Sequence, residues 1–569
     1  MDSFLSQSKK DRLAQSGQPR RLSTLLGTGL LAVGLLLLAA IPIARWYIYD
    51  IDHQFANLTA IGLGFLGIAA SYLGVWARSA RTCLLHVIFV FMPIAFIAAG
   101  LGTYKFIGFS GEMLPVFRIR SWATTKSTSK SIPISPESAE AAGVDDAPHL
   151  NEASSQFLGN ARTGVVSSER FSVDWDKQLP KVLWKHPIAA GWSSFAVQHG
   201  LAITLEQLDD IESLTAFALG TGEVVWRASF PGRHFQPIGG LGPRSTPTID
   251  TDKVYVQTCV GILACVDLKT GTVLWQQNLL ELAGIDQLMS EQSITWGRSG
   301  SPLVFDNQVV IPLGGRTGDA DLKTLISFDK ETGAILWKGG DAQIAYASPS
   351  LLTLCGVRQI VNVNEDCATG HNPANGVVLW RTEWPSKSNG DACASQPVQV
   401  GDSQILLGKG YALGSKLIEV KFSGSGDDDR YDRSFWNVSE VWSNSRIIKT
   451  KFTSPILYHD ALYALSDGIL ECVDPSNGTR IWRGKRYGQG QIIIVNGHIV
   501  ISAEDGRIAL VRADRESSGT PIAEMQVLDG ITWNVPSVAG PFLLVRNGEQ
   551  VACLKSEKDA EEHGQVVAP

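Results

Sequence analysis

Apolar residues fall into two regimes along this chain. Residues 23–44 (STLLGTGLLAVGLLLLAAIPIA), 58–76 and 83–104 are long runs without a charged side chain. Each is long enough to cross the ~30 Å hydrocarbon core of a bilayer as a helix. From about residue 156 onward the runs become short and are broken by Gly, Asn and Asp, with little helical periodicity, so the text predicts strands joined by tight turns. Between the regimes, a Ser/Thr/Lys/Pro tract from about 121 to 155 reads as a flexible linker. The expected organisation is a tail over 1–22, a three-helix anchor over 23–110, a linker over 111–155, a β domain over 156–556 and a disordered tail over 557–569.

The β text repeats itself. FALGTGEVVW (217–226), VDLKTGTVLW (266–275), FDKETGAILW (328–337), HNPANGVVLW (371–380) and VDPSNGTRIW (473–482) each place a TG or NG turn before apolar residues and a Trp. The turn supplies the positive-φ positions of a tight hairpin, and the Trp can cap the core between neighbouring sheets. Weaker copies at 180–187, 438–445 and 519–527 bring the count to eight. A second series of Ser- and Pro-rich runs interleaves with the first: SSFAV (193–197), STPTI (245–249), GSPLV (300–304), ASPSL (347–351), SQPVQ (395–399), TSPIL (453–457), GQIII (490–494) and NVPSV (534–538). It also numbers eight, at a period of roughly 40–60 residues, that of a propeller blade. Each such run is expected to be the innermost strand of a four-stranded blade. Trp184 has no inner strand before it and 542–555 has no Trp phrase after it, so 181–186 should complete the last blade and leave the ring no free edge.

The 569 residues, with a hydrophobic share of 44% and a charged share of 18%, suit a repeat-built globular protein with some membrane content. The net charge of −7 argues against nucleic acid, which needs a basic face. The 8 cysteines show neither a CxxC nor an adjacent pair; most sit in apolar strand text, and Cys355 with Cys367 could form a disulfide in an oxidising compartment. Lys9, Lys10, Arg12, Arg20 and Arg21 precede the first run, and Arg78 and Arg81 separate the second from the third. The positive-inside rule then places the N-terminus in the cytoplasm and, after three crossings, everything beyond residue 105 in the periplasm of a bacterial inner membrane.

The D-x-x-T-G-x-x-x-W text at Asp267–Trp275 and Asp329–Trp337 resembles the pyrroloquinoline-quinone-type (PQQ-like) β-propeller repeat, over about 180–555. The resemblance implies an all-β, eight-bladed propeller of four-stranded antiparallel blades, here preceded by three transmembrane helices. The repeat occurs in quinoprotein dehydrogenases and in the lipoprotein scaffold of the outer-membrane assembly machine. The phrase builds blades, not cofactor sites.

Function therefore has two readings. One is a non-catalytic binding or scaffold protein for a protein, peptide or anionic ligand. The alternative is a membrane quinoprotein dehydrogenase, and only that alternative implies PQQ and calcium. The resemblance to quinoprotein dehydrogenases implies adjacent cysteines, a calcium site and an Asp base. Here the adjacent pair is missing, and Asp267, Asp329 and Asp474 read as turn caps. GDDDRYD (426–432) reads as a solvated insertion rather than a calcium loop. GLGFLG (62–67) mimics a dinucleotide fingerprint inside an apolar span, where small residues let helices pack, and STSK (127–130) lies in the linker. The remaining candidate site is the funnel formed by loops entering the innermost strands: Trp192, Arg244, Trp296, Arg298, Tyr346, Lys451, Tyr487, Trp533 and Asn534. Aromatic and basic residues recurring at one station suggest a surface accepting a peptide or an anion, with Arg244, Arg298 and Lys451 expected to face water.

Overall fold

The computed structural model describes residues 2–49, 52–78, 83–120, 153–385 and 392–557. It divides into two compact units, Met1–Lys126 and Ser127–Pro569.

In the first unit, α1 (Asp2–Tyr49) and α2 (His53–Arg78) form a hairpin. Thr24–Tyr49 and His53–Arg78 are long and apolar enough to cross a membrane. Small residues set their contact: a Cβ on Gly74 would lie 2.5 Å from Leu31 N, and one on Gly67 2.8 Å from the Leu38 side chain. Only hydrogen at these positions lets the two backbones approach so closely. Asp52 caps α2 by accepting from Phe55 N at 2.8 Å. A third helix, α3 (Cys83–Thr103), contributes a described apolar stretch of Phe91–Thr103, shorter than a full crossing. Tyr104–Phe109 then pairs antiparallel with Pro115–Ile119, so a hairpin reaches into the stretch expected to be linker, while 121–152 and the tail from 558 lie outside the described residues.

The second unit is an all-β ring. Its sheets contain the strands of residues 196–231, 248–278, 303–339, 350–383, 398–444, 456–486, 491–526 and 537–555, here called blades one to eight. Blade eight takes its outermost strand from Lys181–Pro187, which pairs antiparallel with Gln550–Lys555 as the unmatched terminal fragments predicted. Each innermost strand falls on one of the Ser/Pro runs.

The repeated phrase is a device for joining blades. The indole N–H of Trp184 donates to Leu219 O (2.9 Å), Trp226 to Leu268 O (2.9 Å), Trp275 to Lys330 O (3.0 Å), Trp337 to Pro373 O (3.1 Å), Trp442 to Pro475 O (2.9 Å) and Trp482 to Asp514 O (2.9 Å). Whereas Trp380 donates to Gln359 Oε1 of its own blade (2.6 Å), in these six the acceptor lies in the glycine turn of the next blade. The ring of each Trp also covers that turn's glycine: a Cβ on Gly271 (φ +73°) or Gly333 (φ +70°) would stand 2.7 Å from the indole of Trp226 or Trp275. The phrase Asp caps its own turn, Asp267 Oδ1 accepting from Thr270 N (2.7 Å) and Thr270 Oγ1 (2.7 Å), and Asp329 does the same for Thr332. These bonds hold both carboxyls below the ordinary value.

The Ser/Pro runs lace the channel wall. Ser194 N donates to Thr246 Oγ1 (3.2 Å), Thr246 N to Ser301 Oγ (3.0 Å), Ser301 N to Ser348 Oγ (2.9 Å) and Gln396 N to Ser454 Oγ (3.1 Å). Ser537 Oγ donates to Phe195 O (2.8 Å), linking blade eight to blade one. The following proline (Pro247, Pro302, Pro349, Pro397, Pro455) has no N–H, which suits the strand edge that borders the channel.

Residues 153–175 form a strap not anticipated from the sequence. Ser154 pairs with Val197, Ser155 O accepts from Ile249 N (2.7 Å), and Val165–Val166 run parallel to Ile494 and Val495. The strap then turns outward, bonded by Asn496 to Ser168 and Phe171, and ends on buried Trp175, which donates to Ser556 Oγ (3.0 Å). Val495 is the last residue of its innermost strand and Val197 and Ile249 the middle of theirs, so the strap lies past the strand starts at which the mouth loops enter. Cys355 and Cys367 are both free thiols.

If the Trp–glycine contact joins the blades, Gly333→Ala should cost ~2–4 kcal/mol, from left-handed backbone strain plus the clash with Trp275. Gly200→Ala, at φ +75° with open space around the new methyl, should cost only ~1 kcal/mol. Thermal melting followed by tryptophan fluorescence separates the two; equal losses would contradict the account.

Candidate functional site

The mouth of the channel is built from the loops that carry the chain from one blade's outermost strand to the next blade's innermost. Two are enlarged. Residues 232–247 fold a small hairpin, Phe235–Gln236 against Gly240–Leu241. Residues 279–302 hold two short helices, α4 (Leu279–Ala283), capped by Asn278 and closed by left-handed Gly284, and α5 (Gln287–Ser293), capped by Asp286.

Two clusters line the mouth. In the first, Trp533 stands between Trp192 (ring centroids 4.8 Å apart) and Phe452 (5.1 Å), so loops of three blade junctions share one aromatic group. Trp533 Nε1 donates to Glu504 Oε1 (2.8 Å), which fixes its plane. In the second, the carbonyl of Gly239 accepts from both Trp192 Nε1 (2.7 Å) and Arg244 Nη2 (2.9 Å), while Arg244 Nη1 donates to Gly242 O (2.8 Å). Trp296 lies against the same glycine: a Cβ there would be 2.8 Å from its ring. The hairpin of 232–242 is thus the post on which Trp192, Arg244 and Trp296 are hung.

Of the nine residues expected at the funnel, Trp192, Arg244, Trp296 and Trp533 are partly exposed there. The other five are buried. Asn534 donates to Ser193 O (2.8 Å), Tyr346 accepts from Trp296 N through its hydroxyl (3.4 Å), and Tyr487 packs in the core shared by blades six and seven. The expectation that three cations face water is corrected for two. Arg298, 2% exposed, donates to Leu313 O (2.6 Å) beneath the loops. Lys451, 1% exposed, lies 3.8 Å from Asp467 Oδ1 and 5.6 Å from the ring centroid of Tyr411; Asp467 in turn meets Lys449 at 2.8 Å. A cation so deep is tolerated only beside carbonyls or an opposite charge, and both have one. Phe452, Glu212, Tyr411 and Asp467 were not singled out in the sequence; the Gly/Pro-rich PGRHFQPIGGLG (231–242) was the visible sign of the enlarged loop.

The ionisable groups behind the mouth are shielded. Burial pushes the Cys259 thiol up to about 12 and His234 down to about 4. Glu212 accepts from Cys259 N (2.8 Å), yet burial raises its carboxyl to about 7, with Arg244 pulling the other way. Among the described residues no three His, Cys, Asp or Glu side chains are grouped to hold a metal ion. In the 426–432 insertion, Asp429 is taken up by Ser425 N and Gly426 N, Asp432 by Ser434, and Asp427 by Arg430.

Fold and repeat define an eight-bladed β-propeller whose repeated phrase resembles the PQQ-like repeat. A family model described as "Outer membrane protein assembly factor BamB" matches residues 210–484. The outer membrane protein assembly factor BamB of Shewanella oneidensis is 24% identical over 379 residues, 58% of this chain and 89% of that protein. The quinohemoprotein alcohol dehydrogenase ADH IIB of Pseudomonas putida is 33% identical over 105 residues, 18% of this chain and only 14% of that enzyme. Among solved structures, a europium-containing methanol dehydrogenase superposes with a TM-score of 0.52 at 10% identity, covering 71% of this chain and 98% of that one. The quinohemoprotein alcohol dehydrogenase of Comamonas testosteroni gives 0.50 at 13% identity, covering 75% and 83%. At these identities the structural likenesses show a shared fold.

Glu212 makes stability pH-dependent. Its carboxyl is raised from 4.5 to about 7, so the unfolded chain releases this proton before the folded one does. Its stabilising contribution is full below pH ~4.5 and is lost as pH rises toward 7, by up to ~3 kcal/mol. Glu212→Gln should remove that slope, gaining on the parent between pH 5 and 7.5 in denaturant titrations. A parallel pH dependence in both proteins would contradict the assignment.

Proposed function

We propose that the protein is a non-catalytic scaffold of the bacterial inner membrane that holds a polypeptide partner at the propeller's mouth in the periplasm. The observation that carries the reading is the mouth itself, where tryptophans held by main-chain and carboxylate acceptors surround one partly exposed arginine. Rigid Trp side chains lose little entropy on contact, and Trp and Arg are enriched among the residues that dominate polypeptide interfaces. Phe235 (58% exposed) and Ile238 (40%) on the adjoining hairpin extend the apolar surface. Similarity to BamB, named as an assembly factor, supports a scaffold over a catalyst.

In this reading α1, α2 and α3 all cross the membrane, with the basic N-terminal segment in the cytoplasm. Three crossings put the propeller on the opposite side. A reporter active only after export should work when fused after residue 150; activity of a cytoplasm-only reporter there would overturn the localisation.

The site is tested by a photocrosslinking residue placed at Phe235, Ile238 or Trp296 in intact cells, with Leu274 on the outer rim of blade two as control. Adducts to the same partner from the three mouth positions and none from Leu274 are expected. Trp192→Ala combined with Trp533→Ala should lower that yield at least tenfold. Equal crosslinking from the rim would remove the basis for the reading.

A further inference from the structure

Away from the mouth, the strap does not fill the channel. Between its residues Gln156–Thr163 and the innermost strands of blades three to six lies a cavity of about 490 Å³, within the size range of small-ligand sites. Val304, Leu351, Leu352, Val398 and Leu457 form an apolar side of its wall, while Gln156, Asn160, Thr163, Thr353 and Gln399 make the remainder polar.

The strap contributes a cation to this wall. Leu158 (φ +61°), Gly159 (φ +80°), Arg162 (φ +56°) and Gly164 (φ +77°) make a tight turn of left-handed residues. The turn sends the Arg162 side chain up the channel. A guanidinium has five N–H donors. Four are placed: Nη1 on Gln156 Oε1 (3.1 Å) and Pro302 O (2.9 Å), Nη2 on Ser301 O (3.2 Å) and Pro349 O (3.2 Å). The fifth, on Nε, has no acceptor and is shielded from water. All four acceptors are neutral, and among the described residues no carboxylate pairs with Arg162. A positive charge therefore sits at the wall of a partly apolar chamber with its Nε–H unbonded and no counter-charge, an arrangement that burial penalises. Burial lowers its pKa only to about 10, so it stays charged at neutral pH.

We propose that this chamber binds an apolar molecule carrying a single carboxylate, which neutralises Arg162 while its hydrocarbon part lies against Val304, Leu351, Leu352, Val398 and Leu457. Gln156, itself a wall residue on the strap and bonded to Asn160 O, is the partner a carboxylate oxygen displaces from Nη1. The site is independent of the mouth and of the scaffold reading. A free medium-chain acid and the C-terminus of an apolar peptide share this chemistry.

The test is carbon NMR of carboxyl-labelled octanoate with the full chain held in amphipol. Acid dissolved in the amphiphile titrates above its value in water, whereas acid beside Arg162 titrates below it, so the two populations are distinguishable. A low-titrating, protein-dependent line is expected, lost in Arg162→Met. It should also be lost in Leu352→Trp, which fills the chamber, leaves the guanidinium in place and should melt within a few degrees of the parent. A carboxyl-labelled Ala-Val-Leu peptide, compared with its amide as competitor, reports the second source. Binding of octanoate alone identifies a free acid, and binding of the peptide alone, reversed by acid but not amide competitors, identifies a chain terminus. No low-titrating line from either probe, or one that survives Leu352→Trp, overturns the proposal.

Discussion

The interaction on which the ring depends is the docking of one blade's tryptophan onto the next blade's glycine turn. It satisfies two demands at once. The indole N–H needs an acceptor when buried, and a turn carbonyl of the neighbouring blade supplies it at about the same length at each junction named above. The indole face needs an apolar surface, and a turn without a Cβ lets it lie flat against backbone. At the six junctions where the contact runs from one blade to the next, its geometry helps set the blade-to-blade angle; Trp380 departs from the pattern, donating to Gln359 of its own blade. The hydroxyl lacing of the Ser/Pro runs then repeats the linkage at the channel, so five junctions (eight–one, one–two, two–three, three–four and five–six) are fastened at both rim and hub. Lys181–Pro187 closing blade eight is a consequence: without it, the strand Gln550–Lys555 would present an open edge.

This division explains why the mouth can vary. With blade geometry determined at the rim and hub, the loops between blades are free to enlarge, and 232–247 and 279–302 have done so. Their side chains are anchored largely to main-chain acceptors. Gly239 O holds two donors, and the turn that follows it places Arg244 within reach. The mouth is thus an amphipathic surface whose loops are tied down by main-chain hydrogen bonds. Of the ionisable groups behind it, burial holds Cys259 and His234 in their neutral forms and raises the Glu212 carboxyl to about 7.

The fold was largely legible because its determinants are local and periodic. TG or NG before Trp, and Ser or Thr before Pro, each encode a turn or an edge that must recur with every blade. Asp267 and Asp329 were legible as caps for the same reason. The site was only partly legible. Position at the start of an innermost strand identified Trp192, Trp296 and Trp533 as mouth residues, but could not tell Arg244, which meets the surface, from Arg298 and Lys451, which turn inward to Leu313 O and Asp467. Those partners are distant in sequence and follow no repeat. The strap went unread because its contacts are single hydrogen bonds to successive inner strands, leaving neither alternation nor a Trp phrase in the text of 153–175. The helical hairpin was plain from hydropathy, whereas its contact through Gly67 and Gly74 emerged only in three dimensions.

The central claim is that the propeller is a rigid ring whose mouth, not its rim, carries the partner. Hydrogen exchange on the full chain in nanodiscs, with and without the partner recovered from the membrane, tests it most directly. The account predicts slowed exchange over 232–247, 445–455 and 527–536, with the turns under Trp226, Trp275 and Trp482 unchanged. Slowed exchange confined to those outer turns, with the mouth unaffected, would contradict it.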